Sequence, residues 1–165
     1  MKEAADSKGY ATTSQDFENF SYSVDPISLE EQDGSMLANH IGIRYSSYHT
    51  TGYTYDTERE VYLRDMDGYA HVDKETNEQY YTKNIIIQKM SNHSIDNYGR
   101  QDIDDVASGD GYFITNGYAV PIHWEKNGRS SKTKYTYLDG STVMLNDGNT
   151  YVQIQPTDET LEITE

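Results

Sequence analysis

The sequence predicts an all-β fold. The expected architecture is one domain of about eight to ten short, mostly antiparallel strands, arranged as a sandwich or partly open barrel and ending in a hairpin meander. Three observations carry this. The 165 residues include 16 tyrosines, with abundant Thr, Asp, Asn and Gly, while Ala and Leu are scarce; that balance favours strands over helices. From Asn39 onward, apolar and polar residues alternate with a period of two, as in strands with one buried face. Third, Asn116-Gly117, Asp139-Gly140 and Asp147-Gly148 separate alternating runs near the C-terminus, and such dipeptides supply the positive φ angles of tight hairpin turns.

Residues 1–16 are polar and weakly hydrophobic, so they read as a disordered arm. Phe17-Glu18-Asn19-Phe20, with Tyr22 and Val24, suggests a first strand broken by Pro26. Ile41, Ile43 and Tyr45 share one strand face, and His40, Gly42 and Arg44 the other. Tyr53 and Tyr55 lead through a turn to Val61–Arg64, and Asp65-Met66-Asp67-Gly68 turns the chain back through Tyr69, His71 and Asp73. Ile85-Ile86-Ile87 reads as a central strand covered on both faces. Residues 91–110 lack periodicity, carry five aspartates and read as the longest loop. The meander then runs from Tyr112 to Gln155, and an acidic tail, 157–165, follows the β domain assigned to 17–156.

The size suits a single domain. With 28 acidic against 13 basic residues, the net charge is −15. Such a field repels phosphate backbones and anionic lipid surfaces, so nucleic acid is not expected as a partner. Cysteine is absent, which is compatible with an exported protein without requiring one. No run approaches the length of a membrane span, and the first 20 residues lack the apolar core of a signal peptide.

Two blocks resemble a known family. They are VYLRDMDGYAHVDKETNEQYYTKNIIIQ, Val61–Gln88, and GYFITNGYAVPIHWEKNGRSSKTKYTYLDGSTVMLNDGNTYVQIQP, Gly111–Pro156. Together they look like the C-terminal domain of the YerB-like lipoproteins of Gram-positive bacteria, a family without established biochemical function. The resemblance extends loosely over 17–156. It implies a predominantly β fold, a secreted and lipid-anchored parent facing outward from the cytoplasmic membrane, and a preceding N-terminal domain as the natural neighbour. Contact with the membrane would then run through a lipid anchor lying outside this chain. One position near the end, often Trp in the family, is Tyr151 here.

Candidate site residues fall into two groups. Tyr62, Arg64, His71 and Asp73 occupy the two arms of the Asp67-Gly68 hairpin. An Arg–Asp pair beside a His suits an anion or acid–base chemistry, and the plain alternative is a cross-strand polar ladder that fixes register. Trp124, Arg129 and Lys132, with Lys126 and Lys134, form a basic spot on an acidic chain. It suits an anionic ligand, although alternation puts Trp124 with Val120 and Ile122 on the core face. No nucleophile elbow, phosphate loop or zinc spacing is present, so no catalytic residue, metal or cofactor is assigned. Calcium is considered for the acidic 91–110 loop, without an EF-hand pattern.

The resulting expectation is a non-catalytic extracytoplasmic module that mediates protein or cell-envelope interaction. Two alternatives stand beside it. One is part of a cell-wall enzyme whose main catalytic residues lie in the N-terminal domain. The other is a carbohydrate-binding module with a platform of exposed tyrosines, taking a cell-wall glycan.

Overall fold

The computed structural model describes residues 20–165; the expected arm 1–16 and the Phe17–Asn19 part of the first strand lie outside them. In chain order the strands are β1 (Ser21–Tyr22), β2 (Met36–Leu37), β3 (His40–Ser46), β4 (His49–Asp56), β5 (Val61–Met66), β6 (Tyr69–Ala70), β7 (Tyr81–Thr82) and β8 (Asn84–Met90). They continue with β9 (Asn92–Ser94), β10 (Gln101–Ile103), β11 (Ser108–Thr115), β12 (Tyr118–Glu125), β13 (Lys134–Tyr137), β14 (Met144–Leu145), β15 (Thr150–Pro156) and β16 (Leu161–Thr164). No helix occurs among the described residues.

Two six-stranded sheets form the domain. The first runs β13-β12-β11-β8-β15, with β2 sharing the outer edge of β12. The second runs β16-β3-β4-β5-β6, with β7 sharing the edge of β5. They face each other as a sandwich, because one apolar cluster takes residues from both: Ile41, Ile43, Tyr53 and Tyr62 from the second sheet, Ile85, Ile87, Ile114 and Ala119 from the first. Neither sheet closes into a barrel.

Period-two patterning explains the layers. On β8, Ile85 and Ile87 point into the sandwich while Ile86 points to the opposite face. There Ile86 joins Phe113, Val120 and Ile122 under a cover of Leu29 and Val143 from connecting segments and Leu145 from β14. The first sheet is thus buried on both sides, which is why β8 reads as an unbroken apolar run. The second sheet has a wet outer face, with His40 and Arg44 exposed on it.

The expected hairpin turns at Asp67-Gly68 and Asn116-Gly117 are present, each with both central residues at positive φ, the geometry that matches strand twist. Three details depart from the sequence reading. The meander runs through β13 and the expected Asp139-Gly140 turn, after which Thr142 pairs back with Thr136 of β13; β14 then leaves to pair in parallel with β1, and β15 crosses the sheet to pair in parallel with β8. The 91–110 segment contains its own small hairpin, β9 with β10. The segment 157–165, expected as a tail beyond the domain, supplies β16, which pairs with β3. Its acidity conceals a period-two pattern, since Leu161 and Ile163 pack on the core while Glu162 faces out.

Candidate functional site

Tyr62, Arg64, His71 and Asp73 are drawn toward one edge of the sandwich, but each is engaged internally. Tyr62 lies on the inner face of β5, fully buried. Its hydroxyl accepts a 3.0 Å hydrogen bond from the Gly117 amide, tying the second sheet to the hairpin turn of the first. Gly117 is required twice there. Its φ of +81° suits glycine, and a Cβ would stand 3.1 Å from the Tyr55 ring.

Arg64 points inward beside Tyr53. Its Nη1 donates to His71 Nδ1, its Nη2 to Thr51 Oγ1 at 3.3 Å, and its guanidinium lies 5.7 Å from the Tyr151 ring centre. Nε is buried without a partner. Since Nδ1 accepts, His71 is the neutral tautomer carrying its proton on Nε2. Burial and the neighbouring guanidinium both hold its pKa below the usual histidine value. Asp73 does not reach Arg64. It accepts from the backbone amides of Glu75 and Thr76, 2.9 Å each, and from the Tyr80 hydroxyl at 2.9 Å. Those bonds lower its pKa and close the turn before Tyr80, whose ring meets His71 edge-on at 4.8 Å. Backbone bonds bind the same residues: His71 N to Arg64 O, Tyr80 N to His71 O, and Arg64 N to Tyr80 O.

The sequence did not reveal the partners across the sandwich. Gln153 of β15 donates to the Tyr53 hydroxyl and accepts from that of Tyr45. Burial pushes the Tyr53 hydroxyl up to about 12 and that of Tyr45 higher still, although the Arg64 charge opposes both shifts. A glutamine seen as one polar position in an alternating strand carries no sign of two phenols 100 and 108 residues away. The arrangement is a hydrogen-bonded polar seam inside the sandwich in which Arg64 Nε alone of the guanidinium nitrogens lacks a partner among the described residues. It lacks a nucleophile beside a base, and its histidine is turned toward a cation.

The second group divides. Trp124 is 1% exposed and packs against the backbone opposite it: a Cβ on Gly109, its register partner, would lie 3.1 Å from the indole nitrogen. Glycine at 109 makes room for the ring, so Trp124 belongs to the core. Arg129 and Lys132 are exposed and line a groove on the outer face of the first sheet, together with Lys126. Phe20 and Tyr135, stacked 5.9 Å apart, form its apolar wall. The sequence marked the cations of this groove, but Phe20, just before β1, and Gln88 of β8 reach it from distant parts of the chain and were not foreseen.

The tyrosine stripes are also resolved. Tyr53 and Tyr62 are core, Tyr45 and Tyr55 pack against it, and Tyr135 and Tyr137 pack under the outer cover. Of the strongly exposed rings, Tyr48 and Tyr98 sit on turns and Tyr69 begins the two-residue β6, so they do not form a row along one strand. Among the described residues no group of three His, Asp or Glu is placed to hold a metal ion. In the 91–110 segment Asp96 pairs with Arg100, and Asp105 with Lys126 at 3.2 Å.

Comparison with known proteins agrees with this architecture. Residues 41–152 match the C-terminal domain of the protein family of unknown function DUF3048. A Bacillus subtilis (strain 168) protein named "Putative lipoprotein YerB" is 30% identical over 162 residues, covering 94% of this chain and 45% of that protein. The crystal structure of Bacillus subtilis YerB superposes over 99% of this chain and 52% of that one, with a TM-score of 0.74 at 26% identity. The chain therefore spans about half the length of these relatives. The family match over most of its length and the identity to YerB together make this chain a member of the YerB-like DUF3048 family, of which it carries the C-terminal domain.

Proposed function

We propose that this domain is a non-catalytic binding module in the extracytoplasmic part of a lipid-anchored protein, holding that protein to a component of the cell envelope. The observation that carries this reading is how the most chemically suggestive residues are used. Tyr62, Arg64, His71 and Asp73 all bond to the protein itself, so this group is spent on structure. The name of the Bacillus subtilis relative, "Putative lipoprotein YerB", supports an outward-facing parent. The enzyme alternative loses its main support here, because the Arg–His contact serves a sandwich seam.

The test is retention of the purified chain on isolated cell envelopes, measured by co-sedimentation against increasing protein. Saturable retention that survives His71→Ala is expected, since His71 supports structure. Failure to co-sediment at any concentration refutes the module reading, and substrate turnover abolished by His71→Ala in a still-folded protein replaces it with the enzyme reading.

A further inference from the structure

The outer face of the first sheet carries two adjoining concavities, of about 490 Å³ and about 600 Å³. They share Phe20, Tyr135 and the loop Ser131–Thr133, so they form one groove. Its two ends differ chemically. Around the larger concavity stand Lys126, Arg129 and Lys132, cations on a protein of net charge −15. Lys126 is held by Asp105, whereas Arg129 is exposed and has no ion pair among the described residues. The smaller concavity offers hydroxyl groups, Thr133, Thr136 and Thr142, above an apolar floor of Val143 and Leu145. Between them lies the Phe20–Tyr135 stack.

Gln88 gives an independent sign. It is 4% exposed, lines the cationic end, and its amide nitrogen has no hydrogen-bond partner among the described residues. Buried amides are ordinarily satisfied, and leaving one unpaired costs on the order of 1–3 kcal/mol. A half-turn of the amide exchanges nitrogen and oxygen, so this residue can present a donor to an acceptor oxygen in the groove.

We propose that this groove is a binding site for a phosphorylated sugar. The phosphate would sit among Lys126, Arg129 and Lys132, with Gln88 beneath. The ring would lie against the Phe20–Tyr135 stack, and its hydroxyls would meet the threonines. Arginine and lysine suit phosphate by charge and donor geometry. Aromatic and apolar walls with a few placed polar groups are the usual composition of a small-ligand site. An acidic protein gains selectivity from such a spot, because the surrounding field rejects polyanions that lack the sugar contacts. This inference rests on the module reading and gives its ligand chemistry.

The test is calorimetric titration of the whole chain with mannose 6-phosphate, inorganic phosphate, the polymer phosphomannan, neutral mannan and polyglutamate. Binding of mannose 6-phosphate or phosphomannan is expected, with mannan and polyglutamate inert. Affinity should fall about tenfold or more in an R129E/K132E variant, both positions being exposed, and should weaken with salt. Gln88→Leu should weaken binding of inorganic phosphate as well as of the sugar phosphate. Equal affinity for monomer and polymer per phosphate points to a free sugar phosphate as the source, and tighter polymer binding to a glycan; either supports the site. Absence of phosphosugar binding, binding unchanged in R129E/K132E, or equal affinity for polyglutamate overturns it. If envelope retention persists alongside any of those results, the groove assignment fails while the module reading stands.

Discussion

The two faces of the central sheet solve opposite problems with similar residues. The inner face meets the second sheet, and at that interface Gln153 of the first sheet bonds to the Tyr45 and Tyr53 hydroxyls of the second, beside an Arg64 that reaches His71 and Thr51. The outer face is covered by connecting segments, and its polar side chains border an open groove, with Gln88 left unsatisfied. Tyrosine serves in both places. Inside, its hydroxyl completes a seam; outside, the Tyr135 ring helps form a wall. The polar bonds inside tie the two sheets together, while Arg129 and Lys132 outside stay exposed on the groove.

The sharpest way to break this contrast is to remove an inner-face ring. Tyr62→Ala should cost about 3–5 kcal/mol in urea denaturation, the usual range for emptying a large aromatic site. Tyr62→Phe isolates the Gly117 bond and should cost roughly 1–2 kcal/mol. If Tyr62→Ala costs no more than an outer-face substitution, the inner face is not the principal core.

Alkaline pH tests the same face. A phenol whose folded pKa lies above its unfolded value of 10.0 stays neutral in the native state while the unfolded chain ionises. Its stabilisation is therefore full below pH 10 and is lost as pH rises toward the folded value. For Tyr53, raised to about 12, linkage predicts a loss of about 1.4 kcal/mol at pH 11, with Tyr45 and Tyr62 shifting in the same direction. Denaturation midpoints at pH 9 and 11, with tyrosinate absorbance followed in parallel, would read this out. His71 works from the acid side. Its folded pKa is depressed, so its contribution is present above the unfolded value of 6.5 and declines as pH falls below it.

The outer face should respond more weakly. Phe20 is only half-buried, so Phe20→Ala should cost about 1 kcal/mol or less yet reduce any binding in the groove. A larger loss would mean that Phe20 belongs to the core.

The smallest effect concerns two Asn-Gly steps. Asn116 is fixed by a side-chain bond to Ile27 O, and the Gly117 amide by Tyr62. Asn127 is exposed and borders the groove. In an unhindered Asn-Gly step the glycine amide nitrogen attacks the side-chain carbonyl, ammonia leaves, and water opens the ring to aspartate or isoaspartate. Peptide mapping after mild alkaline incubation should find Asn127 converted and Asn116 intact. The new negative charge should weaken phosphosugar binding with little change in thermal stability. Equal conversion at both sites would show the β11–β12 turn to be as open as the basic loop.

How far the sequence disclosed this can be traced through particular residues. Ile85-Ile86-Ile87 announced a strand covered on both faces because a two-sided environment demands apolar side chains at every position. Asn116-Gly117 announced its hairpin because few other pairs adopt two positive φ angles. Local rules carry both. The parallel seat of β15 beside β8 was not legible, since Asp147-Gly148 signals a turn without saying where the next strand goes. Nor was β16, whose two apolar residues are outnumbered by acidic neighbours. The candidate groups fared by the same logic. The Arg129 and Lys132 loop showed itself through charge, while the use of Arg64 depended on Thr51 and Tyr151, which only tertiary packing brings near. Trp124 followed its alternation into the core.

The place of β15 has one more consequence. Its residue Thr150 lies 66 positions after Asn84, which it meets across the ladder, and the chain then passes directly into β16 at the rim of the other sheet. A single late stretch therefore finishes both layers. A nascent polypeptide of this design emerges with its hydrophobic interior open along one side until that stretch arrives, and contacts so distant in sequence slow the final closure. During that interval the bare flank of β8 is the site most exposed to mispairing with another copy, so a C-terminal truncation before Thr150 should produce aggregates rather than a loosened monomer.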